Sequence, residues 1–184
     1  TIVLPSYNES AVLKDGFLAI DGYLRTLAAQ YRFEYLVIDD GSADGTAEIA
    51  DALAAARTDV SVLHHPTNLG VGRAFQTAFR HCRGDYVVTL DVDLSYEPRH
   101  IGLMLEKLRE TRAQVVLASP YMKGGRISNV PWLRRMLSIW ANRFLSLFAP
   151  GRLSTLTCMV RAYEGDFIRG LVLRATGLEV MPET

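Results

Sequence analysis

YVVTLDVDLSYEP, residues 86–98, joins a run of apolar residues to two aspartates that stand one residue apart. The apolar run ends at Leu90, and its length and composition predict a buried β-strand. Asp91 and Asp93 follow directly. Two carboxylates this close repel each other and lose hydration when they are buried, unless water or a cation offsets the cost. The stretch therefore predicts a strand whose carboxyl end leads either into a solvated loop or into a site for a divalent cation.

The same kind of apolar run recurs through the first 120 residues and alternates with helical patterns. The predicted strands cover residues 1–7, 33–39, 60–65, 85–91 and 113–119. The predicted helices cover residues 10–30, 45–57, 68–82 (which begins as a loop) and 98–111. Ser42 and Asp44 are predicted to cap the second helix. This alternation predicts an α/β fold with a mainly parallel sheet and helices on both faces.

Polar clusters follow four of these strands, where ligands bind in such sheets. The clusters are SYNE (6–9), DDGS (39–42), NLG (68–70) and DVD (91–93). Asp39 or Asp40 offers a carboxylate to ribose hydroxyls or a base edge, and capping of the next helix is the alternative. The glycines of NLGVGRA are expected to let a ligand approach closely. The chain has no G-x-G-x-x-G after its first strand and no P-loop motif, which excludes a standard dinucleotide site and a P-loop ATPase.

A cation would explain the two aspartates after the fourth strand. Carboxylate oxygens suit Mg²⁺ and Mn²⁺, and Mg²⁺ typically takes one or two carboxylates and completes its shell with water and substrate phosphates. Asp91 and Asp93 fit such a partial cage. A metal held there would neutralise a diphosphate leaving group.

Charge is balanced over the chain but unevenly distributed. Residues 1–110 hold 16 acidic and 10 basic side chains, whereas residues 111–163 hold eight basic side chains and no acidic one. Such a stretch suggests a surface for phosphate, nucleic acid or membrane headgroups. Nucleic acid is disfavoured because no interleaved stacking aromatics accompany the arginines. Residues 131–150 predict a basic amphipathic helix, which lies in a membrane interface, packs on the sheet, or does both.

The chain of 184 residues is long enough for one domain with a substantial core. It contains no run of about 18 apolar residues, it does not begin with Met, and it ends in MPET without an obvious stop. We therefore expect a segment of a longer polypeptide. Cys82 and Cys158 lack metal-ligand spacing and are expected to be buried, reduced thiols of a cytosolic domain.

Five motifs, taken in order and spacing, resemble family 2 glycosyltransferases. They are LPSYNES (4–10), VIDDGSADGT (37–46), NLGVGRA (68–74), DVDLSYEP (91–98) and TLTCMVRAY (155–163). The resemblance runs from residue 1 to about residue 183 and is strongest to the dolichyl-phosphate mannose synthase and polyprenyl-phosphate branch. It implies a GT-A fold and inverting transfer of a sugar from a nucleotide sugar. It also implies one catalytic domain over residues 1–184, with a nucleotide-sugar-binding core (1–120) and an acceptor- and membrane-facing part (121–184).

The resemblance assigns roles to particular residues. The nucleotide-binding residues would be Pro5, Tyr7, Glu9, Asp39 and Asp40. The catalytic and metal-binding residues would be Asp91 and Asp93, with Mg²⁺ or Mn²⁺ as the metal. The acceptor-phosphate residues would be Lys123, Arg126, Arg134 and Ser138. The chain departs from the family pattern at Ser95 (usually Gln), Pro120 (often Arg), Thr155 (usually Asp) and Cys158 (usually Gly).

These observations favour transfer of a sugar from GDP-mannose or a UDP-sugar to a polyprenyl or dolichyl phosphate. A lipid phosphate is largely dianionic at neutral pH, since its second pKa is about 6. It therefore attacks without a general base, which suits a chain with Thr155 in place of the Asp. The alternatives are a hydroxyl acceptor, for which Glu183, Asp91 or Asp93 would be the base, and a non-catalytic nucleotide- or membrane-binding module. The expected location is the cytoplasmic face of a membrane, as a peripheral protein.

Overall fold

The computed structural model describes residues 1–119, 158–177 and 179–184. The strands are β1 (Ile2–Ser6), β2 (Tyr35–Asp39), β3 (Val60–His64), β4 (Tyr86–Thr89), β5 (Val115–Leu117) and β6 (Arg161–Glu164). The helices are α1 (Leu13–Arg25), α2 (Thr46–Ala56), α3 (Val71–His81), α4 (Arg99–Thr111), α5 (Gly165–Gly170) and α6 (Val180–Glu183).

The described strands form a single sheet in the order β3-β2-β1-β4-β6-β5. Strands β1 to β4 pair in parallel, and β6 runs antiparallel between β4 and β5. Helices connect the parallel strands because such strands need a crossover rather than a tight turn. The register sets Ser6, Asp39 and His64 side by side at one edge. The loops after these three strands therefore begin next to one another.

Apolar side chains fill both faces of the sheet. One core cluster joins the sheet to α1 and α4 and includes Phe17 and Ile101. The other joins it to α3, α5 and α6 and includes Phe75 and Met181. Burial of each large side chain contributes roughly 1.5–3 kcal/mol relative to exposure. The predicted mainly parallel sheet with helices on both faces is confirmed.

A buried polar network fixes α1 against the sheet. The carboxylate of Asp21 accepts hydrogen bonds from Tyr35 (2.8 Å) and Arg25 (2.9 Å) and pairs with Arg57 at 2.9 Å. Burial alone would raise the pKa of Asp21, but the hydrogen bonds from Arg57, Tyr35 and Arg25 lower it to about 2. Because Asp21 lies on α1 and Tyr35 begins β2, this network limits how far the helix can shift.

Several predicted boundaries change in the structure. The first helix ends at Arg25 rather than at residue 30, because the chain then forms a series of turns. The predicted capping of the second helix was wrong, since Gly45, with a φ of 91°, occupies the N-cap position. Ser42 instead binds the loop after β1, and Asp44 binds both that loop and the N–H of Thr46, the first residue of α2, at 3.1 Å. The predicted helix over residues 131–150 lies outside the described residues.

Candidate active site

Hydrogen bonds join the loops after β1 and β2. The backbone N–H of Asn8 donates to Ser42 Oγ at 2.9 Å, and Asn8 Oδ1 accepts from the N–H of Ala43 at 2.9 Å. Next along the chain, the N–H of Glu9 donates to Thr46 Oγ1 at 2.8 Å. The N–H of Ser10 then donates to Asp44 Oδ2 at 3.0 Å. The first turn after β1 is therefore held in place by the loop after β2 and by the start of α2.

Asp39 ends β2 and is almost fully buried, with a side chain that is 4% exposed. Its carboxylate accepts a hydrogen bond from the N–H of Ser42 at 3.1 Å, and its Oδ2 lies 2.9 Å from Nδ1 of His64. Burial acts to raise the pKa of Asp39, but the hydrogen bonds from His64 and Ser42 bring it below its ordinary value. Asp39 is thus an ionised group at the carboxyl edge whose orientation is set by His64.

Asp40 organises the loop that leads into α3. Its carboxylate accepts hydrogen bonds from the N–H groups of Leu69 (2.9 Å) and Gly70 (2.8 Å), and one oxygen lies 2.6 Å from Nδ1 of His65. The other ring nitrogen of His65 lies 2.9 Å from Thr77 Oγ1. The Asp40 side chain is only 6% exposed. It holds the β3–α3 loop against β2.

The glycines of NLGVGRA lie against the C-terminal segment of the chain. A Cβ on Gly72 would lie 2.5 Å from the carbonyl carbon of Thr176, and a Cβ on Gly70 would lie 2.9 Å from its oxygen. The N–H of Gly72 donates to that same oxygen at 3.0 Å. Gln76 donates to the carbonyl of Ala175 at 2.8 Å. These glycines admit the backbone of the C-terminal segment, and the expected close ligand contact stays a prediction.

Asp91 and Asp93 follow β4 and have different surroundings. Asp91 is mostly enclosed, and burial together with the charge of Asp93 raises its pKa to about 6. Asp93 is exposed, and its two oxygens accept hydrogen bonds from the backbone N–H and the hydroxyl of Ser95, at 2.8 and 2.7 Å. Ser95, which stands where the family often has Gln, therefore orients Asp93 in this structure.

Glu9 adds a third carboxyl group to this region. Burial, followed by the charges of Asp91 and Asp93, raises its pKa to about 7. Its Oε2 is buried and has no hydrogen-bond partner among the described residues. Within that part of the chain, no lysine or arginine pairs with Asp91 or Asp93. Burial and neighbouring carboxylates thus raise the pKa values of two acids, Glu9 and Asp91, at this loop edge.

Two further observations, one on metal ligands and one on cavities, bear on the location of the site. Among residues 1–119, 158–177 and 179–184, no three His, Cys, Asp or Glu side chains are close enough to hold a metal by themselves. Two open cavities, of about 630 and 430 Å³, lie at the amino ends of the strands, around Tyr31 and Arg32. They are remote from Glu9, Asp91 and Asp93. The carboxylates, rather than cavity volume, therefore locate the candidate site.

A family model adds independent information to this geometry. The model described as glycosyl transferase family 2 matches residues 1–166. The chain belongs to glycosyltransferase family 2. The predicted family and enzyme class are thereby confirmed, and the four loops at the carboxyl edge are those of a family 2 domain.

Two curated relatives match this family 2 domain over most of its length. The undecaprenyl-phosphate mannosyltransferase of Micrococcus luteus is 36% identical over 94% of the chain and 69% of its own length. The polyprenol monophosphomannose synthase of Mycolicibacterium smegmatis is 32% identical over 95% of the chain and 64% of its own length. The chain thus spans about two thirds of each of these relatives.

A solved structure shows the shared fold. The glucosyl-3-phosphoglycerate synthase of Mycobacterium tuberculosis, in complex with Mn²⁺, UDP and phosphoglyceric acid, superposes with a TM-score of 0.71 at 24% identity. The superposition covers 98% of the chain and 60% of that protein. At this level of identity the likeness concerns the fold alone, and it confirms the predicted GT-A architecture of the family 2 domain.

The last family motif is partly described. Cys158 is buried, its Sγ donates to the hydroxyl of Tyr96 at 3.3 Å, and burial raises the pKa of the thiol. Arg161 is also buried and donates to the carbonyls of Cys158 and Met181 and to Thr184 Oγ1. The following positions lie outside the described residues: Pro120, Lys123, Arg126, Arg134, Ser138 and Thr155. The side chain of Glu183 does so as well.

Sequence reasoning missed two features of this family 2 site. His64 and His65 orient the two aspartates of DDGS, and their position at the carboxyl end of β3 was the available signal. Gly16 contacts the backbone between Asp91 and Asp93, and no sequence pattern pointed to it.

No helix in the described part of the chain is both long and apolar enough to cross a membrane.

Proposed function

We propose that this domain transfers a mannosyl residue from a nucleotide sugar to a polyprenyl phosphate, with inversion at the anomeric carbon. The observation that carries the proposal is the cluster of Glu9, Asp91 and Asp93, which lack a cationic partner among the described residues of a family 2 domain. The names of the two curated relatives specify mannosyl transfer and a polyprenyl acceptor. Because the chain spans only about two thirds of those proteins, the activity of the whole protein belongs to this proposal.

On the donor side, Pro5, Tyr7 and Asp39 would bind the nucleoside. Tyr7 follows β1 and is 47% exposed, so its ring is available to a base. Asp39 is ionised and would accept hydrogen bonds from base or ribose donors. Asp40 would act indirectly, because its carboxylate already holds the β3–α3 loop. GDP-mannose is the first donor to test, and UDP-sugars are the comparison.

The residues at the end of β4 fit a divalent cation. The raised pKa of Asp91 reflects an enclosed carboxyl group beside a second acid, and a cation would remove that penalty. Two carboxylates leave most positions of a Mg²⁺ or Mn²⁺ shell to water and to substrate phosphates. When bound, such an ion would neutralise the leaving diphosphate. Ser95 would orient the carboxylate of Asp93 toward this ion, and Asp91 would contribute its carboxylate from the buried end of the strand.

The acceptor is proposed to react without a general base. A lipid phosphate at neutral pH carries a dianion, so no proton has to be removed before its oxygen attacks C1 of the sugar. The new C–O bond forms on the face opposite the breaking bond to the nucleoside diphosphate, and the bond electrons leave with the diphosphate. A hydroxyl acceptor would need a placed base instead. Glu9, whose pKa is raised to about 7 by burial and by the charges of Asp91 and Asp93, is not assigned that role.

The acceptor-side residues are proposed from sequence alone. Lys123, Arg126, Arg134 and Ser138 would hold the acceptor phosphate. The acid-free basic stretch over residues 111–163 would favour the anionic inner face of a membrane, where the protein would be peripheral. Replacing Arg134 and Arg135 by glutamine should weaken use of the lipid and sedimentation with anionic vesicles, while donor binding persists.

The test is a panel of nucleotide sugars incubated with the protein, Mn²⁺ and a short polyprenyl phosphate. Release of nucleoside diphosphate and formation of a mannosyl lipid with GDP-mannose, only when the lipid is present, would support the proposal. NMR of the product would show whether the anomeric configuration is inverted. Transfer to hydroxyl acceptors but not to the lipid phosphate would favour the hydroxyl-acceptor alternative. Nucleotide binding without turnover on any acceptor would favour a non-catalytic module.

A matched pair of variants makes this test specific. Asp93→Asn should abolish the metal-dependent part of nucleotide binding, since it removes half of the proposed protein ligands. Asp15→Asn removes an exposed carboxylate on α1 and should leave binding unchanged. If the Asp93→Asn protein gains as much nucleotide affinity from Mn²⁺ as the wild-type protein does, the proposed metal site is contradicted.

A further inference from the structure

Helix α1 contacts the turn that carries the two aspartates through a residue without a side chain. A Cβ built on Gly16 would lie 1.9 Å from the carbonyl oxygen of Val92 and 2.9 Å from its carbonyl carbon. Atoms in proteins do not approach a Cβ this closely. Val92 stands between Asp91 and Asp93 and is fully buried. The bare helix backbone at Gly16 therefore sets how deeply this turn can sit.

The helix is the more firmly held partner in this contact. On the helix side, Leu13, Phe17 and Ile20 are fully buried in the core, and Asp21 is bonded to Tyr35 and Arg57. These contacts fix α1 against the sheet on both sides of Gly16. The turn is less constrained, because the residues after Val92 are exposed or half-buried. A methyl group at Gly16 would accordingly displace the turn more readily than the helix.

We infer that Gly16 is a positioning residue for the metal and diphosphate site. By admitting the carbonyl of Val92, it places the carboxylates of Asp91 and Asp93 at the depth at which both face one cation. The inference rests on the proposed function for what the turn holds. It adds a residue on α1 that touches neither nucleotide nor metal.

The first experiment compares two alanine substitutions in the same helix. Gly16→Ala adds the colliding methyl group, whereas a Cβ on Gly22 meets nothing within 4 Å. The affinity of each full-length variant for GDP and UDP is measured by calorimetry with Mn²⁺ and with EDTA, together with its thermal unfolding. Gly16→Ala should lower the Mn²⁺-dependent gain in affinity at least tenfold and leave affinity in EDTA within twofold of wild type. Gly22→Ala should leave both unchanged, and it should not lower the unfolding temperature, since alanine favours helix over glycine.

A second pair covers the case in which Gly16→Ala does not fold. Val92→Ala loosens the turn from its other side, and Val88→Ala removes the same atoms from a buried position within β4. Both should lower stability because both leave a cavity. Only Val92→Ala should reduce the Mn²⁺-dependent gain in affinity, by about fivefold or more.

The outcomes separate the inference from the proposed function. If Gly16→Ala keeps the wild-type gain in nucleotide affinity from Mn²⁺, the role of Gly16 is overturned and the metal site stays intact. The same holds if Val92→Ala and Val88→Ala reduce that gain equally. Absence of any Mn²⁺-dependent gain in the wild-type protein overturns both. A loss confined to Gly16→Ala and Val92→Ala supports the inference, because a general loss of stability would not change the metal dependence alone.

Discussion

Replacing Asp91 by asparagine should stabilise the metal-free protein at neutral pH, although the same change is expected to damage the site. Burial and the charge of Asp93 raise the pKa of Asp91 from 3.8 to about 6. The folded protein therefore holds this proton more tightly than the unfolded chain does. Stability linked to the group is present at acid pH and is lost as the pH rises from about 4 to about 6.

The magnitude follows from the size of the shift. One pKa unit corresponds to about 1.4 kcal/mol, so a rise from 3.8 to about 6 corresponds to about 3 kcal/mol lost above pH 6. Asparagine has a similar shape and no charge at any pH, so it escapes this loss. Asp91→Asn should raise the free energy of unfolding by roughly 2–3 kcal/mol near pH 7.5 and by less than about 1 kcal/mol near pH 4.5.

The assay is urea unfolding, followed by circular dichroism in EDTA at both pH values. Asp15→Asn, which removes an exposed carboxylate of α1, is the control and should show no comparable pH-dependent gain. Mn²⁺ with GDP should then reverse the order, because ligand binding stabilises only the protein that retains the site. A variant no more stable than wild type near pH 7.5 in EDTA would refute the reasoning. So would a gain of equal size at both pH values.

Two further predictions concern the neighbouring loops. Gly72→Ala places a methyl group against the backbone of Thr176 and should expose the C-terminal segment. Limited tryptic digestion should therefore cleave this variant faster after Arg174. Gly170→Ala, whose Cβ meets nothing within 4 Å, is the control and should not have this effect. His64→Ala should lower the free energy of unfolding more near pH 6 than near pH 8.5, measured in urea. The hydrogen bond to the aspartate that ends β2 raises the pKa of His64, so the stability from its protonated form is lost as the pH rises.

The framework of this fold could be predicted because it depends on short-range patterns. Each apolar run in the first 119 residues forms a strand, and Pro98 precedes a helix as expected. The edge that carries the site also follows from sequence, because parallel strands bring their carboxyl ends together. The sequence therefore predicts that Asp39, Asp91 and Asp93 follow strands at this edge, as they do in the structure.

What could not be predicted depends on how separate segments meet. Ser42 and Asp44 have the side chains of helix caps, yet they also bind the N–H groups of Asn8 and Ser10, because the register of β1 and β2 brings those groups within reach. Only Asp44 keeps a hydrogen bond to the start of α2, from the N–H of Thr46. The role of Gly16 likewise depends on where α1 crosses the end of β4. A glycine inside a helical pattern signals only lower helix propensity, and the pattern does not show what packs against it.

Contacts of this kind also explain how Glu9, Asp91 and Asp93 are kept in one region. Three mutually repelling carboxyl groups would normally move apart or turn toward water. Here the N–H of Glu9 is bound to Thr46, Asp93 is held by Ser95, and the backbone after Asp91 rests on Gly16. These contacts keep Glu9 and Asp91 enclosed near other acids, and burial, followed by the neighbouring charge, raises the pKa of each. A site preorganised in this way would give the proposed cation and diphosphate a larger gain on binding than a flexible loop would, because the electrostatic penalty is already present before the ligand arrives.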